Sequence, residues 1–250
     1  ICQQIRDHKD EIALVLLGGV NYYTGQVFDL QKIASVCQSN NVRFGVDLAH
    51  GVGNVAMKLH DWGVDFAAWC TYKYLNSGPG GPGGAFVHER HTASNELDRL
   101  AGWWGHDEAT RFLMEDDHIP MQGAAGWQIS TPQIMNFVAL GESLKIFEEV
   151  GIDQIASKRK LMNDYFDLLI GQLQAQGKGI TVVTPAEKTR RGAQFSIRFH
   201  RDARTVFDKL IDRGIIGDWR SPDMIRLSPA PLYNTFQELH HVYTVLSEIA

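Results

Sequence analysis

Only three cysteines, Cys2, Cys37 and Cys70, occur in 250 residues, and no two form a C-x-x-C pair. Such an odd, scattered set offers no disulfide framework. It fits a reducing, cytoplasmic setting with inert core thiols, because Cys37 falls on the apolar face of a predicted helix and Cys70 in a predicted buried strand. The longest apolar stretch, residues 12–20, is far too short to cross a bilayer. Positive charge is not in surplus either. The formal net charge of -5 gives no electrostatic ground for nucleic acid or an anionic membrane as partner. Neither a signal peptide nor an initiator methionine opens the chain, which begins Ile1-Cys2-Gln3, so an excised portion of a longer protein is expected. No internal repeat and no low-complexity segment interrupts it.

What is present is enough apolar material, 44% of residues, for a sizeable core in one or two domains. Residues 11–17 form a continuous apolar run, as expected of a strand covered on both faces. Asp29 is a plausible N-cap for a helix in which Leu30, Ile33, Ala34 and Cys37 recur at helical spacing. Further strands are predicted at 42–47, 64–70 and 84–88. Strand–helix–strand order argues for an α/β architecture with a mostly parallel sheet. Thr131 and Pro132 are expected to cap and open a long helix at about 133–149, closed by Gly151. Beyond it the character changes to α+β: a helix at 155–173, strands at 180–183 and 224–228, and an alternating, half-exposed strand at 194–199. The expected divisions are 1–132 as part of a large domain, 133–150 as a linking helix and 151–250 as a small domain.

Two residues stand out of this frame. Asp47 ends an apolar strand, and Lys73 follows a second strand and precedes a glycine-rich turn. In open α/β sheets ligands gather at the carboxyl ends of strands. An amine and a carboxylate so placed suit pyridoxal 5′-phosphate (PLP). The amine forms a Schiff base with the cofactor aldehyde, and the carboxylate keeps the pyridinium nitrogen protonated. Each residue also has a plainer role, Asp47 as a strand-end Asx turn and Lys73 as an ordinary lysine. His50 is either a core or capping histidine or a ligand of the cofactor's oxygens. Tyr72 is either core packing or a phosphate ligand and proton donor. The glycine-rich stretch 78–84 lacks the Lys-Ser/Thr of a P-loop, and serves better to bring backbone close to the lysine. His88-Glu89-Arg90-His91 offers two histidines without a third ligand at a persuasive spacing, so a surface cluster is expected.

Taken together the motifs resemble the kynureninase family, which has the PLP fold-type I (aspartate aminotransferase-like) architecture. The matching segments include Asp47-Leu48-Ala49-His50-Gly51-Val52-Gly53-Asn54 and His60-Asp61-Trp62-Gly63-Val64-Asp65-Phe66. They continue with Tyr72-Lys73-Tyr74-Leu75-Asn76, Gly102-Trp103-Trp104-Gly105-His106 and Ser130-Thr131-Pro132. Ile225-Arg226-Leu227-Ser228-Pro229-Ala230-Pro231-Leu232-Tyr233-Asn234 completes the set. The resemblance implies hydrolysis of L-kynurenine or 3-hydroxykynurenine to anthranilate or 3-hydroxyanthranilate plus L-alanine. It implies that Lys73 carries PLP, that Asp47 pairs with its ring nitrogen, and that His50 and Tyr72 line the cofactor, with Tyr72 near the phosphate. Trp103 and Thr131 match cofactor contacts that the family takes from the neighbouring subunit of a homodimer. Arg226 matches the arginine that grips the substrate carboxylate, a task that suits a planar, permanently charged fork.

The sequence departs from the family in three places. Gly18 stands where relatives often carry a small hydroxyl residue. Thr131 stands where the animal enzymes have an asparagine implicated in recognising the 3-hydroxyl, which leaves both substrates open. The family's N-terminal half of the large domain is missing, so this chain by itself is expected to bind PLP weakly and turn over little. The competing expectations are another fold-type I PLP enzyme, such as a class V aminotransferase or a cysteine desulfurase, and a truncated, non-catalytic paralogue.

Overall fold

Apolar strands joined by helical crossovers build the first sheet. In a computed structural model, which describes residues 1–92, 97–100, 102–113 and 115–250, β1 (Leu14–Gly18), β2 (Arg43–Asp47) and β3 (Phe66–Cys70) run parallel. β4 (Gly83–Val87) pairs antiparallel with β3, giving the order β1-β2-β3-β4. The parallel pairs are connected through α1–α3 territory: α1 (Cys2–Asp7) precedes β1, α2 (Leu30–Ser39) joins β1 to β2, and α3 (Leu59–Trp62) precedes β3. β4 reverses direction because the chain from 71 to 82 contains no crossover helix. Asp29 does cap α2, accepting the Lys32 N–H at 3.0 Å. Cys37 is buried on the inner face of α2, and that burial, with Asp65 nearby, pushes its thiol up to about 11. It is an inert core group at neutral pH.

The expectation that β1 is covered on both faces fails. Leu14 and Leu16 are 43% and 60% exposed. Register explains which face lies open. Leu16 pairs with Gly45, and Gly45 pairs with Phe66, so the three share one side of the sheet. Phe66 lays its ring over Gly45, where an added Cβ would sit 2.3 Å from Cζ. The opposite side carries Phe44, Val46 and Ala67, all buried, and α2 packs against it.

At the amino end of β3, Asp65 is buried and has four neighbours. Three donate hydrogen bonds, the Phe44 N–H at 2.7 Å, Arg90 through Nη2 at 2.8 Å and Nε at 3.2 Å, and His91 Nε2 at 2.5 Å, while Arg43 pairs by charge at 3.6 Å. The segment 88–91 is only in part the expected surface cluster: Glu89 and Arg90 are exposed, but His88 is buried, and Arg90 and His91 direct their side-chain nitrogens to Asp65 because a desolvated carboxylate requires partners. His88 also stacks on His60, ring centroids 4.7 Å apart.

The second architecture is a four-stranded antiparallel sheet, β5-β6-β8-β7, formed by β5 (Ile180–Val182), β6 (Phe195–Phe199), β7 (Asp218–Arg220) and β8 (Met224–Leu227). α5 (Ile152–Ala175), α6 (Ala203–Asp212) and α7 (Phe236–Ile249) run between and around these strands, and α4 (Ile134–Val150) precedes α5 in the chain. Phe166, Leu169, Ile170 and Leu173 of α5 meet Phe195, Ile197 and Phe199 of β6 and Leu246 of α7 in one core. Phe166 and Phe195 pack edge to face, centroids 4.8 Å apart. Thr235 and Glu238 form a capping box that starts α7. α4 begins at Ile134, with the Gln133 carbonyl accepting the Phe137 N–H, so Thr131 and Pro132 lie outside it rather than capping and opening it. Gly151, at φ 79°, follows its end.

β6 is not half-exposed as its alternation suggests. Phe195, Ile197 and Phe199 face the core, and on the other side Ser196 is fully buried as well. Ser196 donates to the Tyr23 carbonyl at 2.5 Å and receives Gln194 Nε2 at 2.9 Å, so its polar face is covered by residues from far upstream. The contacts accordingly divide the chain into two units: 1–19, 29–49 and 57–145, and 20–28, 50–56 and 146–250. The excursions 20–28 and 50–56 into the second unit are features that a division at single points along the chain does not contain. Buried Asn54 holds the latter, accepting the Ala193 N–H at 2.9 Å beneath Gly192, where a Cβ would lie 2.4 Å from Asn54 Nδ2.

Asp65 sets a pH dependence. Burial raises its pKa, but the Phe44 N–H, His91 and Arg90 together hold it below the ordinary aspartate value. A depressed carboxylate contributes stability that is present above the unfolded value of about 3.9 and is lost as pH falls through the lower folded value. Asp65→Asn is expected to cost about 3 kcal/mol at pH 6. In urea unfolding of both proteins, that difference should shrink progressively below about pH 4.

Candidate active site

Asp47 is the last residue of β2, the central member of the parallel trio, flanked by Gly18 on β1 and Ala68 on β3. Strand pairing continues just past it: the Gly19 N–H donates to the Asp47 carbonyl and the Leu48 N–H to the Ala68 carbonyl, each at 2.8 Å. The Asp47 carboxylate accepts the Ala49 N–H on Oδ1 at 2.8 Å, which is the Asx turn, and its side chain stands exposed on the open face of the sheet. Lys73 follows the end of β3 in the connection to β4 and is half-buried, with Nζ 5.8 Å from the Tyr72 ring centroid. Adjacent strand ends thus bring Asp47, Tyr72 and Lys73 to one edge of the first unit. Gly18, the departure from the family pattern, is Asp47's direct neighbour in register.

Tyr72 is exposed, and its hydrogen bond with the Cys70 side chain raises its pKa above the ordinary tyrosine value. A bond donated to sulfur stabilises the neutral phenol. Cys70 in turn points its thiol to the Ala49 carbonyl at 3.9 Å. This cysteine therefore lies between the strand end that bears Asp47 and the phenol beside Lys73, a role that its reading as an inert core thiol does not include.

Trp103 and Thr131, also in the first unit, are exposed. Their segments are joined backbone to backbone: a Cβ on Gly102 would fall 2.2 Å from Ile129 Cα, and one on Gly105 would fall 2.5 Å from the Gln128 carbonyl oxygen. Only glycine permits that approach. Trp103 packs edge to face on Trp104 and Phe112, and Arg111 lies 4.5 Å from the Trp104 centroid.

His50 and Arg226 belong to the second unit. His50 is half-buried, and its carbonyl receives Asn54 Nδ2 at 2.9 Å. Arg226, on β8, is 9% exposed. Its Nε donates to Asp218 Oδ2 at 2.6 Å, and its Nη1 donates to the Tyr22 carbonyl. Asp218 also receives Arg220 Nε at 2.8 Å. Asp218 was not identified from sequence. The signal was available: Asp218 and Arg226 are eight residues apart around a Ser-Pro-Asp turn, and antiparallel pairing puts them directly opposite each other.

No described helix is long and apolar enough to cross a membrane. A family model described as the kynureninase C-terminal domain matches residues 155–246. The chain is 44% identical over 249 residues to a kynureninase of Flavobacterium psychrophilum, covering 99% of this chain and 59% of that protein. It is also 44% identical to one of Nematostella vectensis, covering 99% and 55% respectively. The chain thus spans less than two thirds of these curated relatives. Among solved structures it is similar to a C-DES mutant with glycine covalently linked to its PLP cofactor (TM-score 0.79, 19% identity, 95% of this chain and 60% of that one). It is equally similar to the apo cysteine desulfurase of Thermococcus onnurineus (TM-score 0.79, 17% identity, 99% and 62%). At such identities the likeness shows the fold alone.

Cys70→Ala is expected to bring the Tyr72 titration back toward the ordinary tyrosine range. The measurement is phenolate absorbance against pH, with the Tyr72 contribution isolated by subtracting the matching Tyr72→Phe protein in each background.

Proposed function

We propose that the chain is the C-terminal part of a PLP-dependent hydrolase of the kynureninase family. That enzyme cleaves the Cβ–Cγ bond of L-kynurenine or 3-hydroxykynurenine, giving anthranilate or 3-hydroxyanthranilate and L-alanine. The observation that carries the proposal is the placement of Asp47 and Lys73 at adjacent parallel strand ends in a chain 44% identical to kynureninases over nearly its whole length.

The donor set fits the cofactor: a primary amine for its aldehyde, a carboxylate for its ring nitrogen, and a phenol for its phosphate. The bond from Ala49 occupies Asp47 Oδ1, so Oδ2 is available to a protonated ring nitrogen on the open face. When bound, PLP supplies the electron sink that acidifies Cα and allows the carbon–carbon bond to break. Lys73 would hold the cofactor through Nζ, and its amine would move the proton at the substrate Cα. Tyr72 would donate a hydrogen bond to the phosphate or a proton to the reacting group. Arg226 binds the substrate carboxylate, with Asp218 fixing the plane of its fork. His50 contacts the cofactor's oxygens.

In this proposal the working form is a cytoplasmic homodimer in which Trp103 and Thr131 reach the partner's cofactor. Exposed Trp103, Phe112, Ile134, Met135, Phe137 and Val138 in the first unit support it, since apolar surface of that extent marks an interaction face.

The full-length gene product with added PLP should show the visible absorption band of the lysine-linked cofactor, and Lys73→Ala should lose it while keeping the fold. Anthranilate fluorescence on adding L-kynurenine would establish the hydrolase. A band without anthranilate would point to another PLP enzyme, and no band in the full-length protein would overturn the cofactor assignment.

A further inference from the structure

Resting on the assignment of Lys73 as the cofactor lysine, we propose that Thr71 is a positioning residue, which closes the loop bearing Lys73 through a one-way chain of hydroxyl hydrogen bonds. Thr71 is 1% exposed. Its Oγ1 lies 2.5 Å from the Pro82 carbonyl oxygen and 2.7 Å from Ser77 Oγ. A carbonyl only accepts, so the single Thr71 proton goes to Pro82, and Thr71 must then accept from Ser77. The direction is fixed: Ser77 donates to Thr71, and Thr71 donates to Pro82.

This chain shuts the loop at two levels. The Ser77 N–H also donates to the Thr71 carbonyl at 3.2 Å, so residues 71 and 77 are tied by both backbone and side chain. Between them the Asn76 N–H closes on the Lys73 carbonyl at 3.1 Å, with Asn76 in the left-handed region at φ 55°. Lys73 therefore sits in a small loop whose base is cinched. Pro82 leads directly into β4, so the same hydroxyl anchors the far side of the glycine-rich stretch. Gly81 lies against the chain: a Cβ there would fall 1.9 Å from Ser77 Oγ and 3.0 Å from Thr71 Oγ1. α4 holds the outside of the loop, with Ser143 donating to the Leu75 carbonyl at 2.6 Å and Asn136 to the Gly80 carbonyl at 2.7 Å.

The consequence for chemistry is positional. A loop sets a reacting atom less firmly than a strand does, and a misplacement of about 1 Å can cost about 100-fold in rate. Thr71 touches neither substrate nor cofactor in this proposal. It acts by holding the backbone from which the Lys73 stem projects. Valine matches threonine in shape but leaves the buried Ser77 hydroxyl and Pro82 carbonyl without their partner. Serine keeps the hydroxyl.

The test uses the full-length protein, with and without PLP. In the cofactor-free form, amides of residues 72–77 should exchange about tenfold faster in Thr71→Val than in the unsubstituted protein, and near the original rate in Thr71→Ser. In the holoenzyme, Thr71→Val should lower kcat by about tenfold or more with KM within about twofold, and should shift the pH at which the lysine-linked band titrates. Thr71→Ser should restore both. Exchange within about twofold of the original, with an unmoved band titration, would overturn the proposal. If Thr71→Val fails to fold, Ser77→Ala removes the donor end of the chain and is judged by the same thresholds. Absence of the band in the unsubstituted protein would sink the cofactor assignment alone, and the exchange measurement would still decide the clasp.

Discussion

A buried carboxylate, Asp65, ties together the amino end of the first sheet. It gathers the β2 backbone at Phe44, the guanidinium of Arg90 and the imidazole of His91 around one desolvated charge. None of these groups would be held so far from water without the others, because an unpaired buried charge costs several kcal/mol. The result is a fixed stagger between β2, β3 and the segment after β4. With that end fixed, strand length alone brings Asp47 and Lys73 out at the opposite end. The carboxylate that organises the fold and the carboxylate proposed to meet the cofactor are thus at opposite ends of neighbouring strands, with opposite environments.

The two units solve different packing problems. The second has a closed core in which α5, α6 and α7 cover an antiparallel sheet, and even the polar side of β6 is sealed by backbone carbonyls from residues 22 and 23. Its functional candidate, Arg226, is consequently rigid: two of its nitrogens are already engaged by Asp218 and Tyr22. The first unit leaves one face of its sheet open at Leu14, Leu16 and Phe66, and leaves the apolar side chains of α4 largely exposed. Contiguous apolar surface of this kind ordinarily meets another segment or subunit. Asp47, Tyr72 and Lys73 stand on that open unit, whereas His50 belongs to the second.

Glycine does its work here by permitting contact. Gly102 and Gly105 let two segments touch through backbone atoms alone, which is how Trp103 and Thr131 come to share a neighbourhood. Gly81 allows Ser77 to approach Thr71. The glycine-rich run from 78 to 84 is in this sense a packing device beside the lysine, as its lack of P-loop context suggested.

The sequence by itself determined the strands other than β7, the longer helices and the Asp29 cap, because periodicity and capping are local properties. It also carried the resemblance to kynureninases, since the matching motifs run along nearly the whole chain. It misjudged β1, β6, the start of α4 and the segment 88–91. In each of these cases the outcome depended on which distant group covers a face or satisfies a polar atom. Only the tertiary structure decided that Asp218 holds Arg226, that Asn54 recruits residues 50–56 to the second unit, and that Thr71 closes the lysine loop. Hydrogen bonds between residues far apart in sequence leave no periodic trace, and the direction of a hydroxyl chain follows only once every acceptor around it is known.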